Sequence, residues 1–449
     1  MSEDRAALKP SLGPFMLWGL GVGYVISGMY FGWNLGLAEG GTLGMAIATL
    51  FIIIMYVCFT ISYAELACAI PDAGGAFAYA GKAFGPQIGF IAGMAQILEF
   101  VFAPPAIAAA IGAYLHIFMP SVPVIVISIT AYLIFTGLNI SGVKAAASFE
   151  LIITILAVGE LLIFAGATLP AFKSESLVRN SFPNGIQGIF AALPFAIWFF
   201  LGIEGLANTA EETINPQKNI MKSFGSVLIT LVVLCILTFI AAVGVSGWEN
   251  IVFDAQGNKT DSPLPRALAS IGYIGGEGLL YHMLVTIGLF GLVASFHGII
   301  LAAGRATFEF GRVGYAPELI GRIHKKFKTP ANALIVNMLF GIAALFTEET
   351  GSIITIATMA ALTLYIISML SIIRLRKRMP EMERPFRVPF YPAFPLIALI
   401  IGLISLVSMM IFYLKLAMLY FAILIGCFLM FRLIVNSRQS TVHSKDEDL

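Results

Sequence analysis

The sequence predicts an all-α integral membrane protein with twelve transmembrane helices, arranged as a 5+5 inverted repeat with two further helices at the C-terminal end. Only 11% of the 449 residues are charged, against about 25% in soluble proteins, and the mean hydropathy is +0.92. Twelve apolar runs approach the ~20 residues that a hydrocarbon core of about 30 Å requires. Two of these runs contain glycines at which a helix is expected to break.

The predicted spans form one transmembrane domain, from residue 14 to residue 434. Polar or Pro/Gly-rich segments such as PDAGG and RPFRVPFYP separate them, without a long linker. Residues 1–13 and 435–449 are predicted to be tails, and no removable signal peptide is expected. The predicted spans are 14–37, 43–70, 86–117, 122–139, 145–169, 187–212, 220–247, 279–304, 331–347, 351–373, 393–413 and 415–434.

The basic residues predict the orientation of the chain. With both tails in the cytoplasm, 21 of the 26 Lys and Arg residues fall in cytoplasmic segments, among them the RLRKR run at 374–378. The positive-inside rule therefore places both termini in the cytoplasm. The predicted location of the chain is the cytoplasmic (inner) membrane. The net charge of +1 indicates no nucleic-acid partner. The four cysteines show no metal-ligand spacing, so neither a metal site nor a cofactor is expected.

The first predicted interruption lies in GVGYVISGMYFGWNLG, residues 21–36, which holds five glycines. Glycine in a helix interior costs about 1 kcal/mol relative to alanine. Broken helices persist in hydrocarbon only where they are buried in protein or line a wet cavity. This segment is therefore a candidate binding segment, although glycines also allow close helix packing.

The second interruption lies in PFAIWFFLGIEGLANTAEE, residues 194–212, where Gly202 and Gly205 flank Glu204. It occupies the sixth span, as the opening segment occupies the first. Two interrupted helices at corresponding places indicate inverted repeats, here about 14–169 and 187–373, with extra helices at about 393–434. Such breaks free N–H and C=O groups for a substrate, so this pattern favours a secondary transporter.

Three acidic residues lie well inside apolar runs: Glu99, Glu160 and Glu204. An ionisable side chain at that depth costs a few kcal/mol or more. Because no Lys or Arg lies at comparable depth, each acid is expected to be protonated, hydrogen-bonded, in contact with water or paired with an external cation. Glu204 lies within an interruption and Glu99 precedes Pro104–Pro105, so both are favoured over Glu160 as functional residues.

Other polar and aromatic residues leave alternatives open. His297, in the run ASFHGII, is either a structural hydrogen-bonding residue or a proton relay. Glu65, Glu150, Glu211 and Glu212 lie near helix ends and are either solvated or part of a cytoplasmic gate. Aromatic residues crowd both interruptions and are candidates to cover a small cation by cation–π attraction; they are Tyr24, Tyr30, Trp33, Trp198, Phe199 and Phe200.

Three motifs resemble those of the amino acid–polyamine–organocation permeases. They are AELACAIPDAGGAFAYAGKAFGPQIGFIAG (64–93), FLGIEGLANTAEETINPQKNI (200–220) and RPFRVPFYPAFP (384–395). Within that superfamily, ISGMYFGWNLGL (26–37), EFVFAPPAI (99–107), GIEGLANTAEE (202–212) and ASFHGII (294–300) look most like the bacterial ethanolamine permease group. That group often has an acidic residue at the position of Met29, a departure that bears on cation preference.

The resemblance implies discontinuous first and sixth helices and assigns candidate roles. The Ile26-Ser27-Gly28 turn corresponds to a substrate-binding turn, and Trp198 and Glu204 keep the spacing of an aromatic gate and a proton-linked glutamate. No lysine stands near Ala157, where some proton-coupled relatives carry one. The predicted substrate-binding residues are Tyr24, Ile26, Ser27, Gly28, Met29, Glu99, Ala103, Trp198, Phe199, Leu201 and Gly202, and the predicted coupling or gating residues are Glu204, Trp198 and His297.

The sequence therefore predicts a secondary active transporter that imports a small organic amine, with ethanolamine as the leading candidate. A neutral or cationic amino-acid permease or exchanger is the alternative, and the coupling ion is either a proton or sodium. A channel is disfavoured because no repeated filter loop or charged ring is visible. An enzyme is disfavoured because the chain lacks HExxH, GxSxG and Walker motifs.

Overall fold

The computed structural model describes residues 10–141, 146–271, 279–347 and 349–447. Residues 1–9 of the predicted N-terminal tail and 448–449 of the predicted C-terminal tail lie outside this range. The described residues form helices and no β-strands, apart from isolated bridges. The α-helices are α1 (Pro14–Val25), α2 (Ser27–Tyr30), α3 (Trp33–Ala69), α4 (Ala76–Phe84), α5 (Pro86–His116), α6 (Val124–Ser141), α7 (Ala146–Thr168), α8 (Ser174–Val178), α9 (Gly185–Trp198), α10 (Pro216–Ser246), α11 (Trp248–Val252), α12 (Pro263–Ser270), α13 (Leu279–Arg312), α14 (Ala331–Leu345), α15 (Thr350–Arg378), α16 (Ala393–Phe412) and α17 (Leu414–Glu447), and two 3₁₀ helices cover Leu169–Ala171 and Ile203–Glu212.

Ten helical segments in the described part of the chain are long and apolar enough to cross a membrane. Two further predicted spans, the first and the ninth, correspond to shorter apolar helices, Pro14–Val25 and Ala331–Leu345. Large apolar side chains face outward along these helices, and Ile229, Leu339 and Leu433 are each more than half exposed. A belt of exposed aliphatic groups is stable in lipid and not in water. The protein is a multi-pass membrane protein.

The predicted boundary between the first two spans appears inside α3. Gly41 has φ +64° and ψ −172°, so the helical dihedrals stop there and resume at once. The positive φ is accessible to glycine at little cost. The third, fourth, fifth, seventh, tenth and eleventh predicted spans each overlap one long helix to within several residues, whereas α13 and α17 continue past the predicted ends at 304 and 434. The short helices α4, α8, α11 and α12 were not predicted because none contains a long apolar run.

The interior is built from α5, α13 and α15, with α3 and α9 packed closely together. Helix α5 contacts α4, α6, α13, α14, α15 and α17, and the last two helices, α16 and α17, are the less buried of the long apolar helices together with α6 and α7. Pro104 and Pro105 lie within α5 and are both buried. Proline removes a backbone donor and leaves a carbonyl of the preceding turn unpaired. The centre of the molecule therefore holds the least regular helical segments.

One end of the molecule is held by a buried carboxylate, Glu65 near the end of α3. It accepts hydrogen bonds from Arg376 Nε at 2.8 Å and Arg376 Nη2 at 2.5 Å. It also accepts one from the Val388 amide at 2.7 Å and lies 3.4 Å from Arg384 Nε. We call this end, with its cluster of arginines, the basic side. Bidentate pairs of this kind are among the stronger ion pairs in proteins.

We expect the Glu65→Gln variant to be destabilised by about 3 kcal/mol, because it leaves two largely buried guanidinium groups without their anion. The measurement is thermal unfolding of the detergent-solubilised protein. Glu318→Gln is the matched control, since the Arg322–Glu318 pair is 4.0 Å long and mostly exposed. Equal melting temperatures for the two variants would contradict this role of Glu65.

The segment between α11 and α12, residues 253–262, covers the end of the molecule opposite the basic side. We call this segment the strap. Asn34 Nδ2 donates to the Thr260 carbonyl at 2.8 Å, and Lys259 pairs with Glu39 at 3.3 Å. The Thr350 hydroxyl donates to Asp261 at 2.7 Å. Burial raises the pKa of the Asp261 carboxyl from 3.8 to about 6, and the Thr350 hydroxyl partly opposes that shift. The strap therefore carries a group that titrates near neutral pH.

We expect the folded protein to lose stability as pH rises through about 6, because the folded state holds the Asp261 proton more tightly than the unfolded chain does. The contribution is fully present below pH 3.8 and is on the order of 1–2 kcal/mol after allowance for partial exposure. Asp261→Asn should remove this part of the dependence when unfolding is measured from pH 4.5 to 8. A variant curve parallel to that of the wild type would refute the assignment.

Candidate functional site

The first span is interrupted over Ile26–Gly32 rather than at a single turn. Helix α1 ends at Val25, and α2 is one turn, Ser27–Tyr30. Non-helical dihedrals occur at Phe31, with φ −160°, and at Gly32, with φ +86°. The turn that the resemblance placed at Ile26–Gly28 lies within this interruption. Ile26 keeps right-handed helical dihedrals, and Gly32 is the glycine that supplies the left-handed conformation.

A serine hydroxyl from α13 is inserted into the backbone of this segment. Ser295 Oγ donates to the Gly23 carbonyl at 2.6 Å and accepts from the Ser27 amide at 2.9 Å. These two backbone groups would bond to each other in a continuous helix, since they are four residues apart. The hydroxyl satisfies both groups and allows α1 to end at Val25. The helix break therefore depends on a side chain far away in the sequence.

The sixth span breaks immediately after Trp198. Helix α9 ends there, and Gly202 adopts φ +95° before the 3₁₀ helix Ile203–Glu212 begins. The interruption predicted around Gly202 is confirmed at that residue. The second half of the span is a tighter 3₁₀ helix, which is uncommon over ten residues and typical of a strained or functional segment.

The two interruptions lie directly against each other. A Cβ atom at Gly28 would lie 2.5 Å from the Trp198 carbonyl oxygen and 3.0 Å from Phe199 Cα. Gly32 lies equally close to the Trp198 ring, and Gly205 faces the Tyr24 ring. No side chain larger than hydrogen fits at Gly28 without moving one segment. The glycines therefore bring two irregular backbones into contact, as expected where both line one site.

Two fully buried carboxyl groups meet beside this contact. Glu99 on α5 faces Glu204 and the Gly202 amide. Neither Glu99 oxygen makes a hydrogen bond of standard geometry, and Glu204 Oε1 is likewise unsatisfied. Among the described residues, no Lys, Arg or His pairs with either acid. Two carboxylates cannot both remain ionised and unpaired in such a site, so the pair takes up a proton or an external cation.

A chain of tyrosine hydroxyls supports Glu204. The Tyr365 hydroxyl on α15 donates to Glu204 Oε2 at 2.8 Å and lies 3.2 Å from the Tyr56 hydroxyl. Tyr56 in turn reaches the Ile197 carbonyl at 3.4 Å, in the last turn of α9. These bonds tie the acid pair to the backbone of the interrupted sixth span. The sequence analysis missed both tyrosines, because a lone tyrosine in an apolar run carries no spacing signal.

The other predicted substrate-binding residues are buried around the same contact. The Trp198 ring packs edge-on against Phe31, and its Nε1 has no hydrogen-bond partner. The Phe199 ring stacks on Trp33, whose Nε1 donates to the Met29 carbonyl at 3.1 Å. The remaining predicted residues are each at most 4% exposed: Tyr24, Ile26, Ser27, Ala103 and Leu201.

His297 does not join this group. Its Nδ1 lies 3.2 Å from Glu150 Oε2, between α13 and α7. Glu150 is fully buried, whereas the sequence alternatives placed it near a helix end, either solvated or in a gate. Glu160 lies beside the Tyr30 phenol, and one of its oxygens is unsatisfied. Besides Glu65, the buried glutamates of the described residues thus form three separate groups.

Both ends of the molecule are closed over the acid pair. On the basic side, Arg305 of α13 pairs with Glu212 at 2.7 Å. Gln96 donates to Asn208 at 3.0 Å on the same side. The strap bonded to Asn34 covers the other end. Glu99 and Glu204 therefore lie in an enclosed interior, where electrostatic interactions are strong.

The sequence matches the family model for amino acid permeases over residues 16–445. This chain belongs to the amino acid permease family. It is 30% identical over 357 residues to an uncharacterized transporter of Rhizobium meliloti (strain 1021), covering 76% of this chain and 73% of that protein. It is 25% identical over 399 residues to the branched-chain amino acid permease BcaP of Bacillus subtilis (strain 168), covering 81% of each. It is 25% identical over 327 residues to the gamma-aminobutyric acid permease of Escherichia coli (strain K12), covering 70% and 68%.

Membership identifies the chain as a membrane transporter. It agrees with the superfamily resemblance of the motifs at 64–93, 200–220 and 384–395. In this permease, the two interrupted helices meet in an enclosed contact beside the acid pair. This contact is the candidate site for a small polar solute. Interrupted helices at such depth are otherwise costly in hydrocarbon.

We expect Gly28→Ala to reduce transport at least tenfold, because its methyl group would clash with the Trp198 carbonyl and push the two interrupted segments apart. Uptake by the reconstituted permease is the measurement. Gly137→Ala is the control, since that glycine lies on an exposed face of α6 with open space around it. Wild-type uptake by Gly28→Ala would show that the close approach is not needed.

Proposed function

We propose that this permease is a secondary active transporter that imports a small organic amine, with ethanolamine as the leading candidate, coupled to protons. The observation that carries the proposal is the acid pair Glu99–Glu204. It is fully buried, has no basic partner among the described residues and lies beside two interrupted helices. A site with acids and no built-in cation selects a positively charged solute.

The chemistry of ethanolamine fits these groups. Its ammonium group would lie against Glu99, where a charge-assisted hydrogen bond replaces the unpaired carboxylate. The Ser27–Gly28 turn and the carbonyls near Gly202 would receive the hydroxyl and the remaining ammonium protons. Trp198 and Phe199 would close over the cation by cation–π attraction. An amino acid would also need a site for its carboxylate, which the two acids would repel.

The proposed architecture is the 5+5 inverted repeat with twelve spans, of which the first and sixth are discontinuous. The permease would lie in the cytoplasmic (inner) membrane with both termini in the cytoplasm. The positive-inside rule supports this orientation, because the arginine cluster around Glu65 then faces the cytoplasm. The basic side would be the cytoplasmic side.

Transport would proceed by alternating access, in which the bundle with the two interrupted helices moves against the remaining helices. Glu204 would link closure to protonation, because Tyr365 and Tyr56 connect it to the end of α9. Trp198 would gate the substrate, and His297 would take part in coupling. A proton supplies the driving force in this scheme, with a sodium ion as the alternative.

An amino-acid permease or exchanger is the second candidate. The family match favours it, since two relatives are named for branched-chain amino acids and for gamma-aminobutyric acid. Met29 favours it too, because a methionine there supplies no negative charge for an amine. The ethanolamine group assignment rests only on the resemblance of motifs such as GIEGLANTAEE.

Removal of the Glu99 charge provides the direct test. We expect Glu99→Gln to weaken ethanolamine binding about 10–100-fold, which corresponds to about 1.5–3 kcal/mol for a hydrogen bond to a charged group. Binding is measured by calorimetry on the purified permease, and uptake by labelled ethanolamine in liposomes. Glu318→Gln, an exposed acid in a weak surface pair, is the control. Unchanged affinity in Glu99→Gln would remove Glu99 from the site.

A competition panel separates the two candidates. Ethanolamine should displace the label better than leucine, gamma-aminobutyric acid or arginine. If any of these amino acids competes much better, the amino-acid permease is the correct assignment.

A further inference from the structure

The Glu150–His297 pair is isolated from the acid pair and joins two helices at one side of α1. Glu150 Oε2 lies 3.2 Å from His297 Nδ1, with side-chain exposures of 1% and 9%. The two residues are 147 positions apart, on α7 and α13. The pair thus places an ionisable imidazole against a carboxylate in the buried interior.

The second oxygen of Glu150 has no hydrogen-bond partner and faces α1. A Cβ atom at Gly23 would lie 2.5 Å from this Oε1 and 2.8 Å from Thr154 Oγ1. On α13, a Cβ atom at Gly298 would lie 3.2 Å from the same Glu150 oxygen. The carboxylate therefore contacts the backbone of α1 with no side chain between them.

Few charged or titratable side chains of the described residues lie close to the Glu150–His297 pair. From α1, the Tyr24 phenol interacts with Glu150 and also with Arg305 and Glu212. From α6, the uncharged Asn139 donates to the His297 carbonyl at 3.4 Å, and its Oδ1 is unsatisfied. Helix α10 also packs on α7, but in the described part of the chain neither α6 nor α10 supplies an ion pair to Glu150 or His297.

Hydroxyl groups beside the pair hold α1 in place. Thr154 Oγ1 donates to the Gly19 carbonyl at 3.1 Å, and Ser295 Oγ donates to the Gly23 carbonyl at 2.6 Å. The backbone at Gly19 packs on Leu151, where an added Cβ would lie 2.6 Å from Cδ1. Carbonyl groups of α1 thus accept hydrogen bonds from α7 and α13, the two helices that carry Glu150 and His297.

We propose that the Glu150–His297 pair is the proton-binding site that couples the proton gradient to movement of α1. The inference rests on the proposed function, since it supplies the coupling step of that transporter. With the proton bound, the pair is neutral overall and α1 packs against it. When the imidazolium releases its proton to water on the basic side, Glu150 is left as an unpaired buried anion next to the Gly23 backbone.

Such an anion needs water or donors, and α1 is the movable wall that excludes them. Release of the proton therefore favours displacement of α1 and opening of the basic side. Renewed protonation of the His297 imidazole restores the positive partner of Glu150 and allows Ser295 and Thr154 to dock α1 again. In this scheme Glu99 holds the substrate, Glu204 links closure of the site to protonation, and the Glu150–His297 pair holds the proton that moves down the gradient.

The test uses the full-length permease in liposomes, with two readouts for each variant. Ethanolamine counterflow at equal pH on both sides reports binding and alternating access. Accumulation driven by a pH difference of one unit, inside alkaline, reports coupling. Because Gln at position 150 stays neutral at every pH, Glu150→Gln should make counterflow independent of pH and lose the accumulation of up to tenfold that a one-proton symporter reaches, and His297→Gln should also lose that accumulation. Glu309→Gln, an acid on α13 paired with Arg312, should keep both readouts.

Wild-type accumulation by Glu150→Gln would overturn the proposal, and so would a wild-type protein that shows counterflow and no response to the pH difference. Absence of ethanolamine counterflow in the wild type would instead reject the proposed function. A second measurement needs no variant. Hydrogen exchange of residues 14–25, corrected for the chemical exchange rate, should be faster at pH 8 than at pH 5.5. Equal protection at both pH values would contradict the coupling site.

Discussion

The close approach of the two interrupted helices is the constraint on which the rest of the structure depends. Gly28 lies where any Cβ would meet the Trp198 carbonyl, so the two backbones touch without intervening side chains. Each break leaves polar groups that lipid cannot satisfy, and the neighbouring helices supply the partners. Ser295 satisfies Gly23 and Ser27, and the Tyr56 hydroxyl reaches the end of α9. The irregular segments are stable only inside this arrangement.

The same constraint explains the placement of the buried acids. Glu99 and Glu204 lie where both breaks meet, and Glu150 lies where α1 docks. Each of these sites leaves at least one carboxylate oxygen without a donor. An unpaired carboxylate in a protein interior is costly, and it persists where an external cation or a proton completes the site. In the proposed scheme, the acid pair Glu99–Glu204 serves the cationic solute and Glu150 serves the proton.

The sequence predicted the fold well, because long apolar runs and Pro/Gly separators determine where membrane helices begin and end. It also located the break at Gly202 and the candidate acids Glu99 and Glu204. It could not show that the first interruption continues to Gly32, since Gly28 and Gly32 look alike in sequence and only their neighbours differ. It could not pair Glu150 with His297 or Glu204 with Tyr365, because these contacts depend on how distant helices pack.

A structure of the permease with bound ethanolamine tests the central claim most directly. The account predicts that the ammonium nitrogen lies within about 3 Å of a Glu99 oxygen, between the interrupted segments and beneath Trp198. A map in which the amine binds elsewhere, with Glu99 still unpaired and turned away from it, would contradict the account.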